Sequence, residues 1–323
     1  KEAERLISDI THREKDRAYW RRLKYSMSKP QGRSIRVVQA EMDMGEVVDF
    51  EGQDAVQNEI WSRIHDQRFY LAEQAPICQG RLRGEFGYLA QTRSGKEVLN
   101  GTYNYGPTFH VASRALLEEC AIIRELIPAN SVSNTIQRPA WQRRWLRAKE
   151  KTSSSVSGLH FGHYRAGAAS RIISNYHAIK TTISLKLGFY LDWWAKGLSV
   201  MLEKKPGVTI IEKLRSILLM EADFNGSNKE VFGDRMMNNV RIHGLMPEEI
   251  FSEKGKMAGD GTFAKTLFWD IVWQSQVCAG LASINAANCY DSITHAIALL
   301  VFQAFGVPEE AIESMLAAIK EMK

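Results

Sequence analysis

Residues 197–225 read GLSVMLEKKPGVTIIEKLRSILLMEADFN. Two short apolar runs, 198–204 and 213–220, stand on either side of Lys205-Pro206-Gly207, and strand-length runs separated by such a turn predict a β-hairpin. Its tip and arm carry Lys204, Lys205 and Arg215. Working outward, residues 166–196 read as helix with large side chains spread widely around it. On the other side, AGLASIN at 279–285 reads as a short buried strand. Asp291 can cap the helix after it, whose apolar face is Ile293, Ile297, Leu300, Val301 and Ala304 and whose stop is Gly306. Pro308 with Glu309 and Glu310 then opens another helix. Helices interrupted by short strands give an α+β class.

Upstream, residues 1–28 read as a polar helix. GRSIRVVQA and MDMGEVVDF read as two strands around a Gly45 turn. Asp54 is placed to cap a helix running to about residue 74, with Val56, Ile60, Ile64 and Leu71 on one face and Pro76 ending it. A glycine-rich, strand-poor stretch follows to 108, then a helix over 113–126. Pro128, Ser131 and Ser133 mark a linker, so the sequence divides into residues 1–135 and 136–323. The absence of an initial methionine and the end at Lys323 inside a helical pattern lead us to expect a fragment.

Composition narrows the class. With 323 residues and 45% apolar side chains, the chain has material for a sizeable core and is neither disordered nor collagenous. Cys78, Cys120, Cys278 and Cys289 have neither disulfide-framework nor zinc-ligand spacing, which favours an intracellular location. His160 and His163 lack further ligands, and His243 and His295 stand alone in settings that suit structural roles. The longest apolar run, 296–305, is too short to cross a bilayer, so no membrane partner is expected. The net charge is +5. Within 137–171, Arg138, Arg143, Arg144, Arg147, Lys149, Lys151, Arg165 and Arg171 face the single acid Glu150. Trp141, Trp145, His160, Phe161, His163 and Tyr164 are interleaved with them. That mixture suits a phosphate backbone with stackable bases, and equally a solvated basic face whose tryptophans turn inward.

Four strings in order carry a resemblance: KTSSSVSGLHFGHYRA (151–166), the hairpin quoted above, NKEVFGDRMM with LMPEEIFSEKGKMA, and SINAANCYDSI (283–293). Over residues 137–323 they resemble the entry segment, fingers hairpin, connecting helices and first palm motif of reverse transcriptases of the non-LTR retrotransposon type. The resemblance implies a helical N-terminal region, then reverse-transcriptase-like fingers and an incomplete palm. It implies a nuclear or other intracellular RNA-directed DNA polymerase acting on an RNA template, a DNA primer and deoxynucleoside triphosphates, with Mg2+ as cofactor. By that match Arg215 with Lys204 or Lys205 holds the triphosphate, Tyr290 screens the sugar, and Asn285 stands where the family has its metal-binding catalytic aspartate. Arg138, Arg143, Arg144, Arg147, Lys149, Lys151, His160, His163 and Arg165 become the nucleic-acid contacts. An amide at 285 removes a full charge from a two-cation site, and no YxDD string occurs in these residues, so the chain is expected to be inactive as it stands. Trp273 and Gln276 stand where the family favours basic residues. The alternatives are a non-enzymatic nucleic-acid-binding relic and an unrelated basic-helix interaction protein.

Overall fold

A computed structural model describes residues 37–41, 46–65, 75–107, 109–148, 156–159, 161–205, 207–247, 255–282 and 293–322. Among these the chain is a mainly helical α+β protein with two two-stranded sheets. It forms two compact units, one of Lys1–Asp66 with Met201–Ile217, the other of Gln67–Val200 with Leu218–Lys323. The division expected at 135/136 lies within the second of these, where Val132 and Ile136 are buried.

In the first unit β1 (Val37–Glu41) pairs antiparallel with β2 (Val47–Glu51), Val37 opposite Glu51 and Ala40 opposite Val48. The alternation of β1 places Val38 and Ala40 inward, as period-two patterning requires. Gln39 donates its backbone N–H to Thr209 O at 3.0 Å. Helix α1 (Gln53–His65) begins one residue before Asp54, so Asp54 sits in its first turn, where its charge complements the helix dipole, and is not the cap. Val56 is buried, and the buried Arg63 binds Glu59 (2.7 Å) and Glu41 O (3.1 Å).

The second unit opens with a 3-10 turn, Pro76–Cys78, and two short helices, α2 (Gly80–Phe86) and α3 (Arg93–Leu99). The glycines of this stretch hid both helices from pattern reading. Gly87 closes α2 at positive φ, and Gly95 lies so near Ala90 O that a Cβ would stand 2.0 Å from it. Helix α4 (Val111–Leu126) confirms the predicted helix, with His110 as cap. The expected helical run over 166–196 is three pieces: α6 (Phe161–Ala168) and α7 (Arg171–Leu187), with a 3-10 turn at Asp192–Ala195, while α5 (Arg138–Leu146) precedes them. Ser170 caps α7 and the left-handed Gly188 ends it.

The hairpin is present as β3 (Gly197–Glu203) and β4 (Leu214–Met220). Helix α8 (Ala222–Asn228) continues through a π-helical turn, Lys229–Arg235, into α9 (Met236–Ile242). Helix α10 (Ala258–Ser275) is followed by irregular, exposed backbone at 279–282, which corrects the buried strand expected there as far as the described residues reach. Thr294, not Asp291, caps α11 (His295–Ala304), and Ile293 is exposed ahead of it instead of lying on its core face. Pro308 opens α12 (Glu309–Lys320) as expected. The main core gathers Leu117, Trp141, Trp145, Leu299, Leu300 and Ile312.

Candidate nucleic-acid and nucleotide interface

The basic segment begins in α5, where Pro139 in the first turn costs no hydrogen bond and the i,i+4 pair Trp141 and Trp145 turns inward. These tryptophans are 5% and 2% exposed. Trp141 stacks on His177 (5.1 Å, 7°) and Trp145 on Tyr164 (4.7 Å, 26°). The rings therefore face each other in the core, and the interleaved aromatics Trp141, Trp145 and Tyr164 offer no base-stacking platform. Burial drives the Tyr164 hydroxyl far above its ordinary range, with Asp223 and Glu221 adding to the effect. Burial, then Lys180, hold His177 below its ordinary value.

The basic side chains divide by role. Arg144 is an internal strut: it binds Glu230 through both Nε (2.9 Å) and Nη2 (2.6 Å), and Asp234 at 2.5 Å. Arg235 completes the cluster, reaching Glu230 (3.1 Å) and the carbonyls of Ser133 (2.7 Å) and Thr135 (2.8 Å). Arg144 is thus removed from the expected nucleic-acid set, because its fork is spent on carboxylates. Half-buried Arg138 binds Gln142 at 3.1 Å. Arg143, Arg147, His163 and Arg165 are exposed, Arg165 resting on Ala148 O at 3.5 Å. Lys149, Lys151 and His160 lie outside the described residues.

On the hairpin, Lys204, Lys205 and Arg215 are all exposed. Among the described residues no carboxylate pairs with any of the three. Glu203, the acid beside them, accepts the backbone N–H of Gly207 at 2.8 Å. A guanidinium on a strand with no internal partner is available to a phosphate, which it meets with two parallel bonds.

Where β4 meets α8, two buried carboxylates appear that sequence reading passed over. Glu221, 1% exposed, accepts from Ser157 N (3.1 Å) and Ser157 Oγ (2.8 Å), holding part of the serine-glycine segment against the strand end. Asp223, 3% exposed, binds Lys180 Nζ (2.8 Å), Trp193 Nε1 (3.2 Å) and Trp194 Nε1 (2.9 Å). The available signal was an acid at i and i+2 closing an apolar strand, opposite the lone lysine in the middle of α7.

Asn285 and Tyr290, expected to form a palm motif, lie outside the described residues. Asn285 offers magnesium only one neutral oxygen, and among the described residues Glu221 and Asp223 spend theirs on Ser157, Lys180 and the tryptophans. Among the described residues no three His, Cys, Asp or Glu side chains group as a metal site. Among them, too, no helix is long and apolar enough to cross a membrane. No protein-family model matches the sequence, and no curated protein is similar to it.

Proposed function

We propose that residues 137–323 are the fingers and opening palm of an RNA-directed DNA polymerase of the non-LTR retrotransposon type, and that this chain binds primer-template and nucleotide without catalysing transfer. The observation that carries the reading is the β3–β4 hairpin, on which Arg215, Lys204 and Lys205 stand exposed and, among the described residues, without a carboxylate partner, while Arg144, Arg235 and Lys180 are consumed internally. Arg215 donates its fork to the phosphates, and a hairpin lysine neutralises the remaining charge. Exposed Arg143, Arg147 and Arg165 contact the nucleic-acid backbone by charge alone, since the neighbouring tryptophans are buried. With Asn285 in the aspartate position, no step through a metal follows.

The test is titration of a labelled primer-template duplex with and without deoxynucleotide and Mg2+, on wild type, Arg215→Ala and Asn285→Asp. Salt-sensitive duplex binding is expected. Added nucleotide should tighten the wild-type complex and leave Arg215→Ala unchanged. If nucleotide tightens neither, or Arg215→Ala behaves as wild type, the polymerase reading falls. Duplex binding that nucleotide never alters favours the non-enzymatic binder, whose support is the retained exposed arginines of α5 and α6.

A further inference from the structure

Helix α7 is turned the opposite way from an ordinary surface helix. The face packed into the protein is small and polar: Ser174, Ala178, Thr181 and Ser184, with Leu185 the one large buried member. The opposite face carries Ile172, Tyr176, Ile179, Ile183 and Leu187, all exposed, with Ile172 at 82% and Leu187 at 69%. Their spacing of four, three, four and four residues lines them on one side of the helix, a seam about 22 Å long. Isolated exposed apolar residues are ordinary, but a continuous helical seam of three isoleucines, a tyrosine and a leucine is an interaction surface. Spacing built of threes and fours keeps such residues on one face, where a second helix can seat its own.

Charge selects the partner. From 156 to 191 the chain holds no acidic residue, and neither does α5. On α7 itself the charged residues are Arg171, Lys180 and Lys186, all basic. Arg171 stands in the first turn of α7, where the helix dipole already places positive charge. Among the described residues the acids near α7 are engaged or lie at one end: Asp223 holds Lys180, and Glu310 and Glu313 of α12 flank Gly188 beyond the C-terminus. The seam is therefore apolar along its length and positive toward its N-terminal end.

We infer that the exposed face of α7 is the docking groove for an acidic amphipathic α-helix of a partner protein, its apolar stripe on Ile172, Tyr176, Ile179, Ile183 and Leu187 and its carboxylates beside Arg171. A second copy of α7 brings no acidic residue of its own to the seam: in a parallel pair Arg171 meets Arg171, and in an antiparallel pair it meets Lys186, the nearest carboxylates, Glu310 and Glu313, belonging to α12 beyond the helix end. A nucleic-acid backbone gains nothing from three isoleucines. The seam uses none of the hairpin residues, so the inference stands whether or not the polymerase reading does.

The test uses the full chain and a labelled designed peptide of about 18 residues with leucines at heptad positions a and d and glutamates flanking them. Controls are the same peptide with lysines for glutamates and a scrambled glutamate peptide. We expect the glutamate peptide to bind in a salt-sensitive manner and the other two to bind at least about tenfold more weakly. Ile179→Asn with Ile183→Asn should weaken the complex about tenfold or more, and Arg171→Glu should weaken it and flatten its salt dependence, with unchanged circular dichroism in each variant. Equal binding of the glutamate and lysine peptides overturns the inference, as does binding no better than the scrambled control. So does a dimer of the free chain that Ile183→Asn splits, which assigns the seam to a second copy. Binding to anionic phospholipid vesicles that displaces the peptide overturns it in favour of a lipid surface.

Discussion

Asp223 shows how one side chain can organise several elements. It takes an ammonium from α7 and two indole N–H groups from the 3-10 turn at Asp192–Ala195, and its backbone opens α8. Lys180 also lies 4.8 Å from the centre of the Trp193 ring, so that indole meets both members of the ion pair. Near this site His177 of α7 stacks on Trp141 of α5 with its Nδ1 unpartnered, as is Nδ1 of His295 beside Tyr88. Burial lowers both imidazoles below the ordinary 6.5; Lys180 lowers His177 further, and Asp223 opposes it. Because their folded pKa values lie below the unfolded one, the unfolded chain holds more protons below 6.5. The stabilisation is complete above 6.5 and is lost as pH falls through the folded values. Glu85, lowered from 4.5 by Tyr103 and then Arg81, acts only further down the scale. Urea midpoints should therefore fall between about pH 7.5 and about pH 5 on this account, and His177→Gln with His295→Gln should flatten the decline. A decline equally steep in the double variant would remove the histidines as its cause. The sequence marked His295 as structural, and its burial agrees. It did not mark His177, whose role depends on rings supplied by α5 and α6.

At the scale of elements, what was legible depended on how local the cause was. The hairpin, α4 and α12 announce themselves through turn residues, periodicity and a proline start, all carried by adjacent residues. The paired helices α2 and α3 were hidden because Gly95 serves a close approach and Gly87 a left-handed turn that only the folded chain reveals. The basic segment was legible as a charge pattern but not as a division of labour, since the partners of Arg144 lie 86 and 90 residues away. Strut and surface arginines should therefore respond differently to removal. Arg144→Ala leaves Glu230 with Arg235 alone and removes the Arg144 contact to Asp234, and should cost about 2 kcal/mol of stability, while leaving duplex affinity per folded molecule unchanged. Arg143→Ala with Arg147→Ala should leave stability within about 0.5 kcal/mol and weaken duplex binding, lowering the salt slope by about 1 for each phosphate that is no longer neutralised. Denaturant titration alongside duplex titration at several salt concentrations separates the two. If Arg144→Ala lowers affinity as much as the double variant, the strut reading of Arg144 is wrong.

At the scale of the molecule, apolar surface is unevenly satisfied. Helices α11 and α12 bury Leu299, Leu300, Ala311, Ile312 and Leu316 in the main core. Helix α10 exposes Phe263, Leu267, Phe268, Trp269, Ile271 and Trp273, large side chains distributed around its circumference. A helix apolar all round is ordinarily an interior one. Left uncovered, it holds its backbone hydrogen bonds without the tertiary packing that supplies most helical stability. Native-state hydrogen exchange should therefore find the amides of Ala258–Ser275 opening with a free energy well below that of Glu309–Lys320, which opens only with the core. Dilution supplies the control. If α10 is as protected as α12 at micromolar chain and loses that protection at about tenfold lower concentration, it is covered by another copy. Protection that persists on dilution would mean that residues of the same chain shield it, and the exposure described for α10 would not be its state in solution.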